Sequence, residues 1–507
     1  MSRPDPGGIL ADHILASLDL VEQVTRVLNL LKDNKQWFEN ELKILRPGYT
    51  ASITIPEDVE AFIQVDQLSG FNHHFRVKFN DQVEWLLRVR KHEWGRAPPE
   101  IARQSIESEV TVLNILKQNG LPVPEAFFPP SFTKSPLDPN SPPLDYFYYE
   151  KLRGKACTQQ VLYWDEPPDR NEEQVDQFIE EYAKVQIQLS NNSLPLNKIG
   201  CVYPSSRDPH GYAVGPIQTG GCFMRPLSPY LLGPFATQKE RYLAHIDAAL
   251  HYITHNALQA SNRLSNITPV DEYLWHLELR ELVCASKQLD EVPDQVFFKH
   301  ADEKSDRFMV DDEQKIIGIL DWEWAYVTTK AEAFAAPDDF SLRRVYLEGL
   351  NTMSYDEKKL IACYERLQRP DLADCVRNGR LYTRLTRIGL YDPGWEKSGF
   401  REAFGNDVPS DFNLPAEHVE WRVYMMKRYK DHEGLQAVMQ KFGWTLARAE
   451  EETIKWYQEQ EEKGQKESVV KTKLDSEDMA KDSARGQDQE EAADQLQQKA
   501  AQRGESE

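Results

Sequence analysis

Long apolar runs are missing from this 507-residue chain, and none approaches the ~20 consecutive residues a membrane-crossing helix needs. The N-terminal thirty residues lack a charged segment followed by an apolar core, so no secretory signal is read there. Cysteine is scarce and scattered. Cys157, Cys201, Cys222, Cys284, Cys363 and Cys375 form no Cys-x-x-Cys pair, which argues against a disulfide framework and for free thiols in a reducing compartment. A soluble, cytoplasmic protein is the expectation, and the sequons at Asn191 and Asn266 then arise by chance. Positive charge is also in deficit, with 60 Lys and Arg against 82 Asp and Glu, a formal net charge of −22. That sign argues against binding to nucleic acid or to an anionic membrane surface, and is compatible with a small cationic substrate or a metal carrying phosphate. Disorder of the whole chain is excluded by 40% apolar and 10% aromatic residues.

What is present changes period along the chain. Residues 1–58 form an N-terminal extension with a helical stripe of Ile14, Leu18, Val21, Val24, Val27, Leu28 and Leu31, enough for one helix or two. In 59–150 alternation takes over: Phe75, Val77 and Phe79, then Asn80-Asp81, then Val83, Trp85, Leu87 and Val89 predict a hairpin. Ile106, Val110, Leu113 and Leu116 predict a helix over 101–118, stopped by Pro122 and Pro124. Tyr146 to Tyr149 read as a further strand. Residues 151–458 are mostly helical, with helices expected at 172–189, 236–258 and 271–287 and an irregular Gly/Pro-rich insertion at 195–235. Residues 459–507 have no aromatic residue and carry 14 acidic against 8 basic side chains, the composition of a disordered tail.

The chemistry concentrates in one stretch. His300-Ala301-Asp302 precedes two short apolar strands, about 307–310 and 316–320, that flank the turn-forming run Asp311 to Gln314. A hairpin returns the chain to its starting end, so Asp302 and Asp321 should meet there. Two carboxylates so placed suit phosphoryl transfer, one accepting the proton of an attacking hydroxyl and the other holding Mg²⁺. Alone, His-x-Asp is a weak signal that mostly marks a solvated loop.

His-x-Asp, strand, turn, strand and Asp321-Trp322-Glu323 together resemble the aminoglycoside phosphotransferase and choline kinase-like enzymes, relatives of the protein kinases, in a form typical of their fungal branch. The resemblance spans roughly 60–345. It implies an α+β, protein-kinase-like fold with a small antiparallel-sheet lobe, a hinge near 150 and a larger helical lobe. It further implies ATP and Mg²⁺ as cofactors and a small-molecule hydroxyl as acceptor. On this basis Asp302 is the catalytic base, Asp321 the metal ligand and His300 a brace of the catalytic loop. Ser69 and Gly70 form the turn over the phosphates, Arg88 contacts them, and Glu109 holds Arg88. Glu150 and Leu152 lie on the hinge whose backbone meets the nucleotide base. Glu303, Asp306, Glu323, Asp338 and Asp339 add acidity that would favour a cationic acceptor.

One position departs from the pattern. Members usually carry Asn five residues after the catalytic Asp as second metal ligand, and this chain has Arg307. Arginine offers no lone pair to a metal; Asp306 is the nearest substitute. The alternative reading is therefore a pseudokinase that binds nucleotide without phosphoryl transfer. A partner-binding scaffold acting through the tail has composition alone behind it.

Overall fold

Phe75, Val77 and Phe79 point one way from their strand while Arg76 and Lys78 stay in solvent, so the strand has a core side from the outset. The structure is a computed structural model. It describes residues 21–65, 71–91, 98–133, 142–157, 171–219, 228–255, 268–337, 339–340, 349–386, 399–412 and 414–462. After helical residues 21–33 come α1 (Lys35–Leu45), β1 (Ala51–Ile53), α2 (Val59–Val65), β2 (Asn72–Phe79), β3 (Glu84–Arg90), α3 (Pro99–Gln118), β4 (Ala126–Phe127) and β5 (Tyr146–Glu150). The strands make one antiparallel sheet in the order β1-β2-β3-β5-β4. Both of its faces are covered. Tyr146 and Tyr148 enter a cluster with Phe38, Leu42, Phe75 and Leu87, while Phe147 and Tyr149 join α3 through Val110 and Leu113. A strand buried on both sides can be aromatic throughout.

The larger lobe follows with β6 (Lys155–Ala156), α4 (Glu172–Ser190), β7 (Cys201–Pro204), β8 (Tyr212–Gly215), α5 (Gln238–Thr254) and α6 (Pro269–Ala285). Then come β9 (Phe297–Lys299), β10 (Phe308–Val310), β11 (Ile316–Ile319), β12 (Tyr326–Thr328), α7 (Lys330–Ala333), α8 (Tyr355–Arg366), α9 (Pro370–Arg377) and α10 (Arg380–Leu385). This is the two-lobed, protein-kinase-like α+β fold, and β10 pairs with β11 on one side and β6 on the other. Gly154 makes the turn between β5 and β6: its φ is +91°, and a Cβ there would lie 2.6 Å from the Val310 carbonyl oxygen.

The stretch 195–235 is more regular than its Gly and Pro content suggests. Within it β7 and β8 pair as a hairpin because Val202 and Tyr203 face Val214 and Ala213 across the Ser205–Gly211 turn. Residues 220–227 of it lie outside the described residues.

The chain divides into two compact units, Met1–Phe412 and Asn413–Glu507. The second contains helices His418–Arg428 and Glu433–Lys441 and helical residues 446–462, with Trp421, Met425, Leu435 and Val438 buried. That last helix runs to residue 462, four residues into the segment read as a disordered tail, through the strong helix formers Glu459 to Glu462. The rest of the tail lies outside the described residues. Five cysteines are free thiols; Cys222 lies outside the described residues. Among the described residues no helix is long and apolar enough to cross a membrane.

Candidate active site

The β10–β11 hairpin closes as its turn chemistry demands. Phe308 pairs with Ile319 and Met309 with Gly318, and the Asp311 carboxylate accepts from the Glu313 and Lys315 amides across the turn. At the open end the Leu320 amide donates to the Arg307 carbonyl at 2.8 Å, which brings Asp302 and Asp321 to the same place. His300 fixes the loop between them. Its Nδ1 accepts the Asp302 amide at 3.1 Å, so the ring proton sits on Nε2 and is donated to the Leu320 carbonyl at 2.8 Å. The ring packs on Trp322, centroids 4.9 Å apart.

Asp302 is an engaged carboxylate. Its Oδ1 lies 2.7 Å from Lys304 Nζ and its Oδ2 2.8 Å from Arg307 Nη2. Burial pushes its carboxyl up, but Lys304 and then Arg307 outweigh burial and hold it below the usual range. Each oxygen keeps a second lone pair for a hydroxyl proton. Asp321 stands in the left-handed region at φ 63°, a conformation that costs a non-glycine residue ~1 kcal/mol and that clusters at functional sites. Its Oδ1 is 2.9 Å from Arg88 Nη2 and its Oδ2 3.1 Å from Arg307 Nε. Burial raises its carboxyl, yet Arg88 and Arg307 together bring it down to about 2.

The small lobe contributes Arg88 from β3, buried and 2.8 Å from Glu109 on α3. The sequence marks Glu323 only as a source of acidity, and it does not anticipate the parts played by Arg90 and Asn72. Glu323 is buried and pairs with both Arg88 and Arg90, and Asn72 Nδ2 donates to it at 2.6 Å. Period-two alternation in β3 was the signal that could have placed Arg88 and Arg90 together on one face, opposite Leu87 and Val89. The cleft so formed is a cavity of about 500 Å³. It is lined by Phe71, His74, Leu86, Tyr149 and Trp324 together with Arg88, Asp302, Arg307 and Asp321. A smaller cavity of about 70 Å³ adjoins it, lined by Lys299, Glu332, Tyr382 and Thr383; Asp302 and Lys304 line both.

Arg88, Glu109, His300, Asp302, Asp306 and Asp321 thus come together. Glu150 and Leu152 do not line the cavity: Glu150 Oε2 accepts from Lys117 and from the Glu125 amide, and Leu152 lies over Gly318. Ser69 and Gly70 lie outside the described residues, as does Asp338. The remaining acidic residues are internally partnered. Glu303 accepts from Tyr182 and Gln186 and lies beside Lys299, Asp306 pairs with Arg307, and Asp339 accepts from the Ser305 amide.

The donor set does not fit the divalent metal that the family pattern implies. Among the described residues no group of three or more His, Cys, Asp or Glu side chains could hold a metal ion. Both oxygens of Asp321 face guanidinium groups, and Arg307 supplies a cation where a second oxygen ligand would be needed.

Residues 68–329 match the model of the phosphotransferase enzyme family, APH. Among solved structures the chain is similar to an ethanolamine kinase of Plasmodium vivax (13% identity, 77% of this chain and 83% of that chain, TM-score 0.40). It is likewise similar to a macrolide 2'-phosphotransferase type I (16%, 70% and 90%, 0.35) and a microcompartment-associated aminopropanol kinase (14%, 78% and 98%, 0.34). No curated protein sequence matches it.

Proposed function

This chain belongs to the phosphotransferase enzyme family, and from that premise we propose that it transfers the terminal phosphoryl group of ATP to a hydroxyl of a small molecule. One observation carries the reading: Asp302, braced by His300 and ionised, borders both the 500 Å³ cleft and the adjoining 70 Å³ cavity. In this reading the nucleotide lies in the larger cavity against Arg88 and the acceptor hydroxyl reaches Asp302 from the smaller. Asp302 accepts the hydroxyl proton as the oxygen attacks the terminal phosphorus, and the bond from that phosphorus to the bridging oxygen breaks to release ADP. Arg88, held by Glu109, and Arg307 offset the charge on the phosphoryl oxygens. Positioning and charge supply most of the acceleration in such reactions. A cationic acceptor has less support than the acidic composition suggested, because Glu303, Asp306, Glu323 and Asp339 are partnered within the protein.

ATP turnover measured against a panel of amino-alcohols, aminoglycosides and uncharged sugars tests the assignment. Asp302→Asn is expected to lower kcat by about 10²-fold or more with the acceptor that reacts; unchanged turnover would remove Asp302 from the mechanism. A second reading, nucleotide binding without transfer, has one observation in its favour: Arg307 contacts Asp302 and Asp321 at once. Nucleotide binding with no turnover across the panel would select it.

A further inference from the structure

The space between the two aspartates at the head of the β10–β11 hairpin holds a guanidinium. Arg307 Nη2 is 2.8 Å from Asp302, Nε 3.1 Å from Asp321 and Nη1 3.2 Å from Asp306. Three carboxylates, each beside a different nitrogen, surround this one guanidinium, so the positive charge a divalent ion would bring is already supplied by a side chain. The backbone keeps it there: the Arg307 amide donates to the Lys304 carbonyl, and its own carbonyl accepts from Leu320. An arriving divalent ion would have to displace the guanidinium and would meet Arg88 on the far oxygen of Asp321. Local charge points the same way. Arg88, Arg90, Lys304 and Arg307 stand against Asp302, Asp306, Asp321, Glu323 and Glu109, so four cations offset all but one of five carboxyl groups and little negative charge is left to draw in a metal. A guanidinium has five N–H donors; one from Nη1 goes to Asp306 and one from Nη2 to Asp302, while Nε lies beside Asp321 without hydrogen-bonding it, so donors remain for phosphate oxygens.

We propose that Arg307 is a resident cation standing in for the divalent metal, so that this cleft takes the phosphate chain of a nucleotide without a divalent ion and holds divalent ions weakly. The nucleotide half rests on the reading of the 500 Å³ cavity as a nucleotide site; the divalent-ion half does not.

Two binding measurements on the full chain separate them. Mn²⁺ alone, followed by electron paramagnetic resonance, is expected to bind the parent weakly and Arg307→Asn at least about tenfold more tightly. Equal Mn²⁺ affinity in parent and variant overturns the divalent-ion half, whatever the nucleotide does. Calorimetry with the non-hydrolysable analogue AMP-PNP is expected to give the parent the same affinity in EDTA as in Mg²⁺, within about threefold, and Arg307→Asn a loss of about tenfold or more in EDTA that Mn²⁺ restores. Parent binding that requires Mg²⁺ overturns the proposal, and no parent binding under either condition overturns the nucleotide reading itself. Arg307→Lys keeps a cation among the carboxylates and guards against misfolding of the asparagine variant. It is expected to retain metal-free AMP-PNP binding and weak Mn²⁺ binding, and tight Mn²⁺ binding in it would count against the proposal.

Discussion

Glu109 competes with two other carboxylates for Arg88, and the others have second partners: Asp321 has Arg307 and Glu323 has Arg90. Burial, and next the negative charge of Glu323 and Asp321, push the Glu109 carboxyl up to about 8 against the pull of Arg88. The folded state therefore holds a proton that the unfolded chain releases near 4.5, and stability contributed at this residue falls as pH rises from about 4.5 through about 8. Glu109→Gln, a neutral mimic of the protonated acid, is expected to sit close to the parent at pH 5 and to be the more stable of the two at pH 9. Urea midpoints across that range check it, and parallel curves for parent and variant would refute the assignment.

At the scale of elements, α1 is docked by a polar contact inside an apolar interface. Phe38 and Leu42 enter the small-lobe core, while the buried Glu41 accepts from the Tyr146 hydroxyl at 2.7 Å and the Tyr148 hydroxyl at 3.0 Å. Glu41→Leu strands two buried hydroxyls and the Ser131 amide, which donates to Glu41 at 3.3 Å, and should destabilise by about 1–3 kcal/mol. Adding Tyr146→Phe and Tyr148→Phe removes the two stranded hydroxyls and leaves only the Ser131 amide, so the triple variant is expected to recover part of that loss in a denaturant titration. A triple variant weaker than the single would mean the tyrosines act through other contacts. The hairpins, by contrast, need no such partner to be found: alternation in Phe75 to Phe79 and in Trp85 to Val89 and turn residues at Asn80-Asp81 and Asp311 to Gln314 specify them locally.

For the whole molecule, the decisive feature is the clamp between lobes. Asn72, Arg88 and Arg90 reach from the sheet of the small lobe to Asp321 and Glu323 beyond β11, across the cleft that the two lobes form. Glu323→Ala leaves two buried guanidinium groups short of a carboxylate and is expected to destabilise by about 3 kcal/mol, read as a lower urea midpoint. A loss below about 1 kcal/mol would show that Arg88 and Arg90 find compensation elsewhere.

Sequence by itself determined the framework of the site. The two short strands and the meeting of Asp302 and Asp321 are set by period and turn chemistry within one hairpin, whereas the roles read for His300, Arg88, Glu109 and the Asp321-Trp322-Glu323 run rest on the family resemblance. Tertiary structure alone decided the ownership of charge. That Arg307 lies between Asp302 and Asp321, that Glu323 neutralises two arginines and that Glu41 meets two tyrosines follow from which elements pack together. The partners of Glu323 and the tyrosines that meet Glu41 are more than a hundred residues away and leave no periodic trace, and Arg307, though near Asp302 in sequence, is placed between the aspartates by side-chain packing that spacing does not encode. An acidic chain of net charge −22 thus encloses a cleft whose ionised groups are matched in pairs, because burying an unmatched charge costs more than the fold can bear.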